Sequence, residues 1–232
     1  RGLLAAARVT GADQDGHLPC GQQFGVCVTS VPRPDGRPLV VSMPVTPGAA
    51  DLPGAAREEE IFLGCFPSAR LLRGASATRE AVLTVLRASP WAHFACHGAQ
   101  DTASPFHAWL VLQDGPLTVR DLAALDLSEH AGLAFLSGCD TSRGDERLSD
   151  EAITLSSAVH LAGFRHVIGA QWQLEDSTAP DVADRVYRRL GDGQGGLDPS
   201  GTAGALHEAV LELRERMPYA PLVWALFTHT GP

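Results

Sequence analysis

The sequence predicts an α/β domain with a mostly parallel central sheet and helices on both faces. Three observations carry this. Short apolar runs end abruptly in small polar residues, as at 91–98 (WAHFACHG) and 133–141 (LAFLSGCDT). Such runs read as strands buried on both faces that leave the sheet at its carboxyl end. Stretches with helical spacing alternate with them, which is the pattern of βαβ units. Glycines and prolines fall between the elements and close them.

Taken in order, residues 1–50 are an irregular lead-in with strands, expected to pack on the same domain as residues 51–232. Residues 24–31 and 39–45 are strand-like, separated by Pro32, Pro34, Gly36 and Pro38. They read as a hairpin, or as the first strand and its lead-in. Pro44, Pro47 and Pro53 make the loop that follows. The alternation then begins with a helix over 55–65, a strand over 69–72, and a helix over 78–87 capped by Thr78. Residues 92–96 form the strand that delivers His97. A strand over 108–112 ends at the turn Asp114-Gly115, and Thr118 caps a short helix to Ala124. Residues 133–136 are the strand before Cys139. Ser149 is placed to cap a helix over 150–162, which Gly163 stops. A strand over 166–170 leads into Gln171 and Trp172. Helices over 177–190 and 203–217 follow, with a last strand over 222–227. Residues 192–200 are a Gly-rich connector, and no internal repeat is visible.

The 232 residues are 44% hydrophobic and 19% charged, with a formal net charge of −9. That length buries a substantial core, and that composition is ordinary for a globular domain. The negative balance and the scattered basic residues argue against direct nucleic-acid binding. No stretch approaches the roughly 20 apolar residues that span a bilayer, so no membrane partner is expected. The five cysteines (Cys20, Cys27, Cys65, Cys96, Cys139) lack paired spacing, which fits a reduced, cytoplasmic protein rather than a disulfide framework. The chain opens on Arg1 rather than Met and is expected to be part of something longer.

The chemistry is expected where the two apolar runs end. Ligands in open α/β sheets bind outside the carboxyl ends of the strands, and two neighbouring strands ending in His97 and Cys139 would place a base beside a nucleophile. A free thiol near its ordinary pKa of about 8.5 is only a few per cent thiolate at neutral pH; an imidazole raises that fraction and later protonates the leaving amine. Alone, Cys139 reads as a small buried residue and His97 as a structural histidine, and it is their pairing that changes the reading. Gly98 allows close backbone approach, and the amides of Gly98 and Cys139 would then form an oxyanion hole, each donor worth about 3 kcal/mol. A metal site at His93, Cys96 and His97 is disfavoured. Cys96 faces opposite to the two histidines on a strand, and the histidines would stand about 13 Å apart.

These residues resemble the CHAT domains, caspase-like cysteine peptidases of the broad clan that includes separase, legumain and gingipain. The segments LPGAAREEE (52–60), HFACHGAQD (93–101), SPFHAWLVLQDG (104–115), LTVRDLAALDLS (117–128), LAFLSGCDT, AGFRHVIGAQWQLED (162–176) and YAPLVWALFTHTG carry the resemblance, from about residue 51 to the end. It implies a caspase-like three-layer sandwich, with His97 as general acid/base, Cys139 as nucleophile, and no cofactor or metal. The family more often has Ala where this chain has Gly138. The Gly that usually follows the Thr is displaced here to Gly144.

The expectation is therefore a cysteine endopeptidase that cleaves a protein substrate through a Cys139 thioester, gated by an upstream or partner sensor region. The alternatives are a catalytically idle fold serving as a protein-interaction module, and a nucleotide or phosphate sensor. The last is disfavoured because no Gly-rich strand-to-helix turn is present. In this clan the residue on the acyl side of the cleaved bond enters a pocket for which Ser137, Asp140, Gln171, Trp172, Glu175 and Asp176 are the lining candidates. Three of these are acidic and none basic, which favours Lys or Arg over Asp. A neutral pocket for Met, Leu or Gln remains the alternative, and Trp172 is read equally as core or as groove wall.

Overall fold

A computed structural model describes residues 36–100, 108–138, 155–172 and 177–232. The chain divides into two units, Arg1–Pro32 and Arg33–Pro232, and the described residues all belong to the second. The strand expected over 24–31 and the cap expected at Ser149 lie outside the described residues.

Among the described residues there are nine strands: β1 (Leu39–Ser42), β2 (Arg70–Arg73), β3 (Trp91–Ala95), β4 (Gly98–Gln100), β5 (Ala108–Leu112), β6 (Gly115–Thr118), β7 (Leu133–Leu136), β8 (His166–Ala170) and β9 (Phe227–Thr230). The α-helices are α1 (Pro53–Cys65), α2 (Arg79–Leu86), α3 (Val119–Ala123), α4 (Leu155–Leu161), α5 (Thr178–Leu190), α6 (Thr202–Arg216) and α7 (Pro221–Trp224). Six strands form one sheet in the order β2-β1-β3-β7-β8-β9, and β4, β5 and β6 form a separate three-stranded sheet. The large sheet is parallel except for β9, which runs antiparallel to β8.

The period-two alternation of each buried strand supplies two cores. Leu39, Val41, Ala92, Phe94, Ala134, Leu136 and Val167 face one layer, made by α2, α3, α4 and the small sheet. Val40, Trp91, Leu133, Phe135, Ile168 and Ala170 face the other, made by α1, α5 and α6. Because both faces are covered, these strands read as unbroken apolar runs rather than alternating ones. Burial of each large side chain is worth ~1.5–3 kcal/mol, so both layers contribute substantially to holding the sheet.

The caps follow the sequence. Thr78 Oγ1 accepts from the Ala81 N–H at 3.3 Å. Thr118 and Asp121 form a reciprocal capping box, with Asp121 N–H donating to Thr118 Oγ1 at 3.2 Å and Thr118 N–H to Asp121 Oδ2 at 3.0 Å. Gly163 stops α4 with φ at +119°.

Two expectations are corrected. The strand expected over 222–227 is instead the short helix α7 followed by β9. Pro221 occupies the first helical position, where its fixed φ favours a turn of helix, and pairing with β8 begins only at Phe227. The strand expected over 39–45 stops at Ser42, ahead of Pro44. The separate sheet was also unforeseen: Asp114-Gly115 turns a β5–β6 hairpin, and β4 adds to it through Gly98.

Candidate active site

β3 and β7 are adjacent, parallel and in register, with His93 opposite Phe135 and Phe94 opposite Leu136. Their carboxyl ends therefore emerge side by side. The pairing continues one residue beyond β7, where the Ser137 N–H donates to the Phe94 carbonyl at 3.2 Å and Ser137 Oγ donates to the same oxygen at 2.9 Å. Ser137 is buried, and its hydroxyl is committed to the strand backbone.

Gly138 comes next. A Cβ built on it would lie 2.4 Å from the Cys96 carbonyl oxygen and 3.1 Å from the Gly98 nitrogen. The two strand ends thus meet backbone to backbone, with Gly138 seated on Cys96-His97-Gly98. Cys139 is the following residue, and it lies outside the described residues, as do Asp140, Glu175 and Asp176.

His97 is half-buried where the two sheets part. Its carbonyl accepts from the Val111 N–H at 2.8 Å, which ties it to β5. That bond makes the facing Gly98 and Leu110 a non-hydrogen-bonded pair, so the Gly98 N–H stands outside the β4–β5 ladder. The His97 ring reaches the other way: Nε2 lies 2.8 Å from the Ala50 carbonyl oxygen. A carbonyl only accepts, so the proton of the neutral ring sits on Nε2 and Nδ1 keeps its lone pair.

The Ala50 carbonyl belongs to a loop joining β1 to α1. The loop is closed by Leu52 N–H to the Pro44 carbonyl at 2.8 Å and Ala49 N–H to the Thr46 carbonyl at 3.2 Å. Gly48 turns it with φ at +77°. Met43 N–H donates to the Ala95 carbonyl at 2.9 Å, which fixes the start of the loop to β3.

Of the other residues expected at the site, Trp172 packs against the second core and its indole N–H donates to the Leu222 carbonyl at 2.8 Å. Gln171 Nε2 donates to Thr228 Oγ1, so its side chain is held against β9. Cys96 points into the first core, where burial first and the Glu58 charge second push its thiol far above the ordinary range. That group stays a thiol and is no rival nucleophile. Among the described residues, no group of three or more His, Cys, Asp or Glu is arranged to hold a metal ion. No described helix is long and apolar enough to cross a membrane.

Sequence reasoning missed two groups near this edge. One is the Ala50 carbonyl, which is backbone and leaves no side-chain signature. The other is a buried polar trio behind β3. His93 Nδ1 lies 2.7 Å from the Tyr187 hydroxyl of α5, and His93 Nε2 lies 2.9 Å from Glu58 Oε2 of α1. The second contact is close but off the line of a hydrogen bond. Glu58 had a usable signal: it stands three residues after Ala55 and four before Phe62, on the face that α1 buries.

A three-layer α/β sandwich with a mostly parallel six-stranded sheet is the caspase-like class of fold. The chain belongs to the CHAT domain family, whose match covers residues 16–232. Among solved structures it resembles the Porphyromonas gingivalis RgpB pro- and mature domains (TM-score 0.59, 12% identity, 84% of this chain and 47% of that one). It also resembles the Saccharomyces cerevisiae separase–securin complex (TM-score 0.58, 17% identity, 84% of this chain and 12% of that one). The Arg-specific cysteine proteinase gingipain R is similar at a TM-score of 0.60 and 11% identity, over 84% of this chain and 46% of that one. This chain therefore spans less than half the length of each. No curated protein matches it in sequence.

Proposed function

We propose that this domain is a cysteine endopeptidase in which His97 acts as general acid/base and Cys139 as nucleophile. The observation that carries the reading is the bond between His97 Nε2 and the Ala50 carbonyl. It supports a ring whose open Nδ1 lone pair is available to take a thiol proton, with the carbonyl doing the orienting that a carboxylate does in other triads. The seating of Gly138 on Cys96-His97-Gly98 supports delivery of residue 139 beside that ring.

In the proposed reaction the Cys139 thiol passes its proton to His97 Nδ1 as sulfur bonds to the substrate carbonyl carbon. Negative charge moves to the carbonyl oxygen, where the Gly98 and Cys139 amides receive it. Collapse breaks the C–N bond, and His97 returns the proton to the leaving amine. Water then gives a proton to His97 as its oxygen bonds to the thioester carbon; collapse breaks the C–S bond, His97 returns that proton to sulfur, and the acid product leaves the regenerated Cys139 thiol.

The substrate is a protein, and the favoured residue on the acyl side is Lys or Arg, set by the acidic residues among Ser137, Asp140, Gln171, Trp172, Glu175 and Asp176. An upstream region or partner gates the site. The test is an acyloxymethyl ketone probe carrying Arg, alongside its Asp counterpart, on wild type, Cys139→Ala and His97→Ala. The expected result is labelling of Cys139 by the Arg probe, lost in both variants. No labelling of Cys139 in the partner-activated chain would overturn the enzyme reading in favour of an idle interaction module. Preferential labelling by the Asp probe would overturn the pocket.

A further inference from the structure

Glu58, His93 and Tyr187 form a chain of polar groups inside the layer that otherwise holds aromatic and aliphatic side chains. His93 is 0% exposed and Glu58 and Tyr187 are each 2% exposed. Aromatic rings surround the imidazole, with Phe135 and Phe62 centroids at 5.1 Å and 5.7 Å. An apolar trio of the same volume would fill this space with no desolvation cost. What the polar trio adds is direction, because apolar packing is non-directional whereas hydrogen bonds and ion pairs fix angle and register.

Burial, and then the charge of Glu58, raise Tyr187 well above its ordinary value, so it remains a donor. Its hydroxyl lies 2.7 Å from His93 Nδ1, and Glu58 Oε2 lies 2.9 Å from His93 Nε2. Each of the three members comes from a different element: α1, β3 and α5.

Two of those elements hold His97. β3 ends two residues before it, and α1 begins three residues after Ala50. The imidazole therefore spans the ends of a strand and a helix whose bodies are joined by Glu58 and His93. Ser42 Oγ, which donates to the Ala55 carbonyl at 3.3 Å, ties the first turn of α1 to β1. Further along the helix, Glu59 pairs with Arg73 of β2 and Arg57 with Asp181 of α5, each at 3.3 Å, but of these polar contacts only that of Glu58 reaches β3 itself. A hydrogen bond weakens steeply with small departures from line and distance, and a working site tolerates only ~0.5 Å. We propose that Glu58, His93 and Tyr187 are positioning residues for His97, locking α1 and α5 onto β3 so that the Ala50 carbonyl meets the His97 ring in a single orientation. This rests on the reading of His97 as the base, but the positioning itself is measurable without catalysis.

The experiment is 15N NMR of histidine-labelled protein, following the two ring nitrogens of His97 in wild type, Glu58→Leu, Glu58→Gln and Tyr187→Phe. Folding is checked for each by circular dichroism. In wild type His97 should show one tautomer, with the proton on Nε2. In Tyr187→Phe and Glu58→Leu its nitrogen shifts should move towards the average of the two tautomers, while Glu58→Gln restores most of the wild-type pattern. Where peptide cleavage is measurable, kcat should fall at least tenfold in Glu58→Leu with KM within twofold. Unchanged His97 shifts in folded Tyr187→Phe and Glu58→Leu would overturn the proposal. Tyr187→Phe removes a single oxygen, so it decides the matter alone if Glu58→Leu does not fold. If no peptide is cleaved by any form, the spectra still decide the positioning role, and the failure belongs to the peptidase reading.

Discussion

The space where Gly138 would carry a Cβ is occupied by the carbonyl oxygen of Cys96, 2.4 Å away. Two strands that pair side by side along their length here come into contact end on, with no side chain between them. The glycine is what permits it. An alanine there requires the backbones at Gly138 and Cys96 to move apart.

Gly138→Ala should therefore cost about 1–3 kcal/mol in stability, as overpacking against fixed backbone does, and lower peptidase activity at least tenfold. Urea denaturation together with a peptide assay checks this. A stable variant with full activity would show that the strand ends can separate freely.

Position 50 should be indifferent to its side chain, because it is the carbonyl that meets His97 and the residue itself is exposed. Ala50→Ser should keep wild-type kcat and KM. Deleting Pro47, which shortens the loop, should reduce kcat by tenfold or more with little change in the thermal midpoint. Equal loss in both variants would contradict a backbone role.

Gly169 of β8 faces Ser156 of α4, and a Cβ there would lie 2.1 Å from Ser156 Oγ. Gly169→Ala alone should destabilise the domain by about 1–3 kcal/mol. Ser156→Ala should relieve the clash, so the double variant should be more stable than Gly169→Ala. A double-mutant cycle by chemical denaturation reads the coupling, and simple additivity would refute the contact.

His166 and His229 stack with Nδ1 and Nε2 3.1 Å apart. Both are held below the ordinary imidazole value of 6.5, His166 by burial and then by the His229 charge, His229 by burial and then by His160. Below pH 6.5 the unfolded chain binds protons more readily than the folded one. The stability these residues contribute is thus complete above pH 6.5 and is lost as the pH falls through their lower folded values. The thermal midpoint should drop between pH 7 and pH 5, and the drop should be smaller in His229→Gln. An identical pH slope in the variant would exclude the pair as its source.

Much of the large sheet was legible because its strands are buried on both faces. Unbroken runs such as 133–136 and 166–170 announce themselves without any partner in view, and the adjacency of the His97 and Cys139 strands followed from their shared form. The three residues of β4, Gly98, Ala99 and Gln100, carry no strand propensity of their own. They are extended only because β5 pairs with them, which is a non-local effect. The trio behind β3 was hidden for another reason. Glu58 sits in a run of three glutamates that reads as solvated surface, and His93 was weighed only as a metal ligand, so the helix face that joins them went unused.

His97 has its carbonyl bonded into the small sheet and its ring bonded to the loop beside the large one. It is the residue at which the two sheets share a single stretch of backbone. A ligand or partner that tugged on the β5–β6 hairpin would pull on the Val111–His97 bond, and with it on the stretch of backbone that carries both the His97 ring and the Gly98 amide. The small sheet, whose strand β4 brings the Gly98 amide to the proposed chemistry, is thereby a handle on both.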